Sequence, residues 1–78
     1  MTLTEAAPVP VNSTLLASVT YRASEKTLEL AFCNGAIYRY FAVPVAIHND
    51  LLAADSKGNY FNQKIRNCFR YVRLRRPQ

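Results

Sequence analysis

The stretch that decides the fold is TLELAFCNGAIYRYF, residues 27–41. Leu28, Leu30 and Phe32 alternate with Glu29 and Ala31, the period-two pattern of a strand with one buried face. Asn34-Gly35 then turns the chain, because glycine accepts a positive φ at no steric cost. AIYRYF, residues 36–41, returns as the second strand of a hairpin. Two registers compete for it. A two-residue Asn-Gly loop would set Leu30 opposite Arg39 and Glu29 opposite Tyr40. A three-residue loop, Cys33-Asn34-Gly35, instead pairs Phe32 with Ala36, Leu30 with Tyr38 and Leu28 with Tyr40, and sets Glu29 opposite Arg39. A slip of one residue exchanges the two faces of a strand, so only the second register keeps the apolar set together. It also gains an opposite-charge cross-strand pair, about 0.2–1 kcal/mol. The three-residue loop is therefore predicted. Tyr38 and Tyr40 then belong largely to the core, while Arg39 turns toward Glu29 and solvent.

Working outward, STLLASVTYR supplies a β-branched, apolar strand over about residues 14–22, and ASEK a polar turn before residue 27. On the other side Val43-Pro44 starts a helix, since proline is tolerated in a first turn where its missing N–H costs nothing. Ile47, Leu51 and Ala54 recur at i, i+4, i+7, giving a helix over about 44–55. Ser56-Lys57-Gly58 breaks it, with Gly58 as a C-terminal stop. A second helix over about 59–67 is predicted to bury Phe61, Ile65 and Cys68. From Phe69 the period changes to two, and residues 70–76 are predicted as a short strand. Tyr71, Arg73 and Arg75 would share one face, Val72 and Leu74 the other. If the helix continued instead, Arg66, Arg70 and Arg73 would form a stripe at i, i+4, i+7. The expected architecture is α+β: an antiparallel sheet of three to four strands, the 27–41 hairpin central, with two short helices packed on one face. Residues 1–10 read as a flexible leader, 11–74 as one domain and 75–78 as a basic tail.

Composition bounds the function classes. The chain has 78 residues, half of them apolar, enough for one core and one domain. No run approaches the roughly 18 apolar residues that would span a membrane, and the apolar positions are accounted for as core, so no membrane contact is expected. MTLTEAAPVP lacks a basic n-region and an apolar h-segment, so no secretory signal is read. Cys33 and Cys68 lie far apart without CxxC spacing, and are expected as reduced thiols packed as small apolar groups in a cytoplasmic protein. The charge is unevenly placed. Residues 1–56 carry three basic and five acidic groups, whereas residues 57–78 carry seven basic groups and no acid. An anionic partner is the natural reading of such an asymmetry.

The chain resembles the KTSC domain, a small module named for the C-terminus of some lysyl-tRNA synthetases and found also as free-standing bacterial proteins. The markers are VNST at residues 11–14, the Tyr38/Tyr40 pair, Val43-Pro44, the run Ala54-Asp55-Ser56-Lys57-Gly58, and the run Phe61-Asn62-Gln63-Lys64-Ile65. Their order extends over about residues 9–74. His48 departs from the pattern, standing where an aromatic residue is expected. The resemblance marks Tyr38, Tyr40, Pro44, Gly58, Phe61 and Ile65 as family positions, read here as structural. It implies RNA binding only by association with a tRNA-handling enzyme.

The residues themselves point away from catalysis. His48, the single histidine, neighbours Asp50 but no serine or cysteine at a nucleophile spacing. A zinc site from Cys33, Cys68 and His48 would lack a fourth ligand. With two glycines in the chain there is no phosphate loop. Neither enzymatic activity nor a cofactor nor a metal is expected. For nucleic acid the chemistry needed is positive charge for phosphates and π-faces for unpaired bases. The C-terminal segment supplies both: Lys64, Arg66, Arg70, Tyr71, Arg73, Arg75 and Arg76. A monomeric module binding RNA or single-stranded nucleic acid is thus expected. The alternative is a small regulator, of bacterial or phage type, docking the same arginines on an acidic surface of a larger machine such as a polymerase or nuclease.

Overall fold

The computed structural model describes residues 7–78. A five-stranded antiparallel sheet runs in sequence order, β1 (Val9–Pro10), β2 (Leu16–Arg22), β3 (Thr27–Phe32), β4 (Ile37–Tyr40) and β5 (Tyr71–Arg75). Between β4 and β5 lie α1 (Val45–Ala53), α2 (Lys57–Tyr60) and a π-helical turn, Phe61–Ile65. The α+β class and the central hairpin agree with the sequence reading. The strand count is higher by one, because Val9-Pro10, assigned above to the leader, pairs with Ser18 and Val19. A two-residue edge strand ending in proline carries too little pattern to be seen locally, and proline is tolerated there because an edge strand need not donate on both sides. Residues 1–6 of the leader lie outside the described residues.

The hairpin register is the three-residue one. Leu28 faces Tyr40, Glu29 faces Arg39, and Leu30 faces Tyr38. Phe32 N donates to Ala36 O at 2.8 Å and Gly35 N to Phe32 O at 2.9 Å. Gly35 has φ +94, and the Asn34 side-chain oxygen accepts from Ala36 N at 3.0 Å. On the outer face Glu29 binds Arg39 at 3.1 Å and approaches Arg22 at 3.7 Å. The inner face carries Leu16, Val19, Leu28, Leu30 and Tyr40, which bury against Val43, Leu51, Phe61 and Ile65. Val43 is fastened twice: its N–H donates to Lys26 O, and its carbonyl accepts from the Tyr21 hydroxyl at 2.6 Å.

Three helix expectations change. α1 ends at Ala53 rather than Asp55, without a glycine stop. Gly58 lies inside α2, which Ser56 caps by accepting from Asn59 N at 3.2 Å. A methyl group on Gly58 would meet the Leu15 side chain at 3.4 Å, so this position serves close packing rather than termination. The 59–67 helix is in fact α2 followed by the π-turn, whose extra residue per turn breaks the spacing on which Cys68 was assigned to the core. Phe61 and Ile65 are buried, but the chain leaves the helix at Arg66, and Cys68 is exposed. Cys33, in the hairpin loop, is exposed as well, so neither thiol packs as a core group.

Candidate functional site

Residues 70–76 resolve to the strand alternative, since Tyr71–Arg75 pairs with β4. Phe41 N donates to Arg70 O at 2.9 Å and extends the pairing by one step. Tyr71 stands opposite Tyr40 and Arg73 opposite Tyr38, on the inner face. Arg75 pairs with Ile37 across a register shift. Val72 and Leu74 are exposed.

This pairing assembles aromatic rings from four elements. The Tyr71 centroid lies 5.6 Å from Tyr38 and 5.7 Å from Tyr40, and the latter two are nearly parallel at 6.4 Å. Phe32 and Phe61 meet this trio edge-on: Phe32 sits 5.6 Å from Tyr38, and Phe61 6.0 Å from Tyr40. Edge-to-face contacts of this kind add about 0.5–1.5 kcal/mol beyond area burial. The cluster forms the floor of a cavity of about 380 Å³, with Arg66, Asn62 and Asn67 among its lining residues. Pro77 also lines it, because the C-terminal tail folds back and Gln78 N donates to Asn34 O at 2.7 Å.

Local backbone shapes the wall opposite the sheet. The π-turn closes with Arg66 N donating to Phe61 O at 2.8 Å, and Asn67 then adopts φ 64. Asparagine is among the few residues that visit the left-handed region at modest cost. Among the described residues Arg66 is the one charged side chain in the lining. Burial pushes the Tyr40 phenol up to about 12; the Tyr38 and Tyr71 phenols add to that, and Arg66 opposes it.

The structure therefore brings Arg66 and Tyr71 together, with Arg73 beside them on the inner face. Lys64, Arg70, Arg75 and Arg76 are exposed but do not line the cavity. Among the family positions, Tyr40 is 4% exposed and belongs to the core. Tyr38 is half-buried, and both rings also contribute to the cavity, a position that a purely structural reading did not provide for. Phe32, Asn62 and Asn67 were not assigned to a site from the sequence. Asn62 was visible only as a marker, and nothing local to Asn67 signals that the chain turns there. His48 lies elsewhere, stacked on Tyr21 at 4.7 Å with 9° between the rings; burial lowers its pKa, partly offset by a hydrogen bond with Asn49. It packs helix to sheet. No group of three or more potential metal ligands occurs among the described residues. No helix among them is long and apolar enough to cross a membrane.

A meandering antiparallel sheet with short helices over one face defines the class as a small α+β domain. The chain belongs to the KTSC domain family, whose model matches residues 12–71. It is similar to a crystal structure of a KTSC domain protein from Yersinia pestis, with a TM-score of 0.83 and 30% identity, covering 88% of this chain and 97% of that one. A protein of Tsukamurella paurometabola is 40% identical over 65 residues, 83% of this chain and 97% of its own length. A lysine–tRNA ligase of Nostoc is 43% identical over 54 residues, which are 69% of this chain and 10% of the ligase.

Proposed function

We propose that this protein is a non-enzymatic, cytoplasmic module that binds RNA or single-stranded nucleic acid as a monomer through its C-terminal segment. Tyr71 carries the reading. The residue is 54% exposed, yet its ring is held against Tyr38 and Tyr40, in a stretch whose charged side chains are all basic. An exposed aromatic face held in place stacks bases, and Lys64, Arg66, Arg70, Arg73, Arg75 and Arg76 neutralise phosphates. The related segment within a ligase that acts on tRNA lends associative support. The test is direct binding of a single-stranded RNA of roughly 10 nucleotides, within the usual site sizes. Wild-type protein binds at moderate salt, and Arg70→Glu with Arg73→Glu sharply weakens binding without unfolding the domain. Millimolar or absent wild-type binding refutes the reading.

A second reading has its own support. β5 is an edge strand, and Val72 and Leu74 are 44% and 46% exposed on its outer face. An edge of this kind adds to a partner's sheet while the arginines meet acidic residues. Pull-down from cell extract with and without nuclease separates the two, because a protein partner survives nuclease and a nucleic-acid bridge does not.

A further inference from the structure

We propose that the cavity between β4–β5 and the π-turn is the seat of a single unstacked nucleotide, its base stacked on Tyr71, which Tyr38 and the buried Tyr40 support, and its phosphate held by Arg66. The inference rests on the nucleic-acid reading above and names the site that reading needs. At about 380 Å³ the cavity falls within the roughly 300–1,000 Å³ of small-ligand sites. Its lining is divided as a nucleotide is divided. Aromatic rings form the floor, the amides of Asn62 and Asn67 offer donors and acceptors to a base edge, and Arg66 supplies the positive charge. Among the described residues no acidic side chain lines it.

The ring geometry limits the occupant. With centroids 5.6–6.4 Å apart and already in contact, Tyr38, Tyr40 and Tyr71 leave no room for a base to slide between them. A base must stack on the exposed ring of Tyr71, which admits one and excludes an intercalated run. The floor is also anchored: Phe32 and Phe61 brace it from the sides, at centroid distances of 5.2–6.0 Å from their ring neighbours. The exposed face of Tyr71 is thus presented without the entropy cost of ordering a free ring. The opposite wall is built from a π-turn and the left-handed Asn67, backbone states that concentrate at functional sites.

The charges beyond the cavity select a nucleotide in a chain over a small free anion. Arg73 stands opposite Tyr38 across the sheet, Arg70 directly precedes Tyr71, and Lys64 is two residues from Arg66. A small ligand would use Arg66 alone. A strand threading through the site would place phosphates against the others.

Binding is measured by anisotropy with two probes: a labelled oligouridylate, and an abasic oligomer carrying the same number of phosphates. Wild-type full chain binds the first more tightly than the second, roughly five- to 150-fold for one lost stack. Tyr71→Ala loses the same factor on oligouridylate and nothing on the abasic probe, while Tyr71→Phe retains wild-type discrimination. The chain has five tyrosines and no tryptophan, so quenching of tyrosine emission by added uridine monophosphate reports occupancy independently. If both probes bind equally and Tyr71→Ala changes neither, the cavity inference is overturned while nucleic-acid binding stands. If neither probe binds, both fall.

Discussion

Tyr71 lies 5.7 Å from Tyr40 across the β4–β5 pairing, one ring half in solvent and the other 4% exposed. That contact joins the core to the outermost strand, and it gives an alkaline signature. The Tyr40 phenol ionises only near 12 in the folded chain, chiefly because burial disfavours the phenolate, against an ordinary value of 10.0. Its folded value is raised, so the unfolded chain loses this proton first. The associated stability is complete below pH 10 and is lost as the pH rises toward about 12. Urea midpoints measured across that range should fall more steeply in the wild type than in Tyr40→Phe, which removes the titrating group and keeps the ring. Parallel slopes would show that Tyr40 is not the group involved.

Ala42 sits between β4 and Pro44 with φ 57, a left-handed conformation in which an L residue loses about 1–2 kcal/mol. Its side chain is exposed, so no packing opposes removal of the methyl group. Ala42→Gly should stabilise the fold by about 1 kcal/mol, since glycine's extra unfolded-state entropy takes back part of the relief. Thermal melting should rise by roughly 4–8 °C for a domain of this size.

Gly35 is held at φ +94, and a Cβ there would fall 2.8 Å from Gln78 Cγ. Gly35→Ala should therefore displace the tail as well as strain the hairpin. Amide exchange at Gln78, whose N–H donates to Asn34 O, should speed up together with a stability loss of about 1–2 kcal/mol. Truncation before Arg76 should reproduce the loss of tail contacts without the turn strain.

The hairpin was legible because two independent signals agree on one register. The alternation of Leu28, Leu30 and Phe32 and the Glu29–Arg39 charges select this pairing, against the two-residue loop that Asn34-Gly35 alone would favour. β5 was legible as one of two alternatives. What was not legible is non-local. Val9-Pro10 becomes a strand only because β2 offers an edge, and Cys68 leaves the core only because the Phe61–Ile65 turn is π rather than α. The cavity depends on the second of these, since no residue of β1 lines it. It exists where a turn with i→i+5 hydrogen bonding brings Arg66 and Asn67 into one lining with rings from β3, β4 and β5, a juxtaposition no local pattern encodes. Lys64 and Arg66, two residues apart, illustrate the limit: charge placed both at the site, and the turn put only Arg66 on the cavity wall.

The salt dependence of binding reads out how many phosphates the arginine-rich edge engages. Affinity for a short single-stranded RNA is measured from low to moderate salt, for the wild type and for Arg73→Glu. Counterion release gives a linear fall of log affinity with log salt, at about −0.7 per neutralised phosphate on a single strand. The account predicts a wild-type slope equivalent to several phosphates, and a slope shallower by about one contact in Arg73→Glu, with an unchanged melting curve. A flat wild-type dependence, or an Arg73→Glu slope identical to it, would contradict the claim that this arginine-rich edge binds a nucleic-acid backbone.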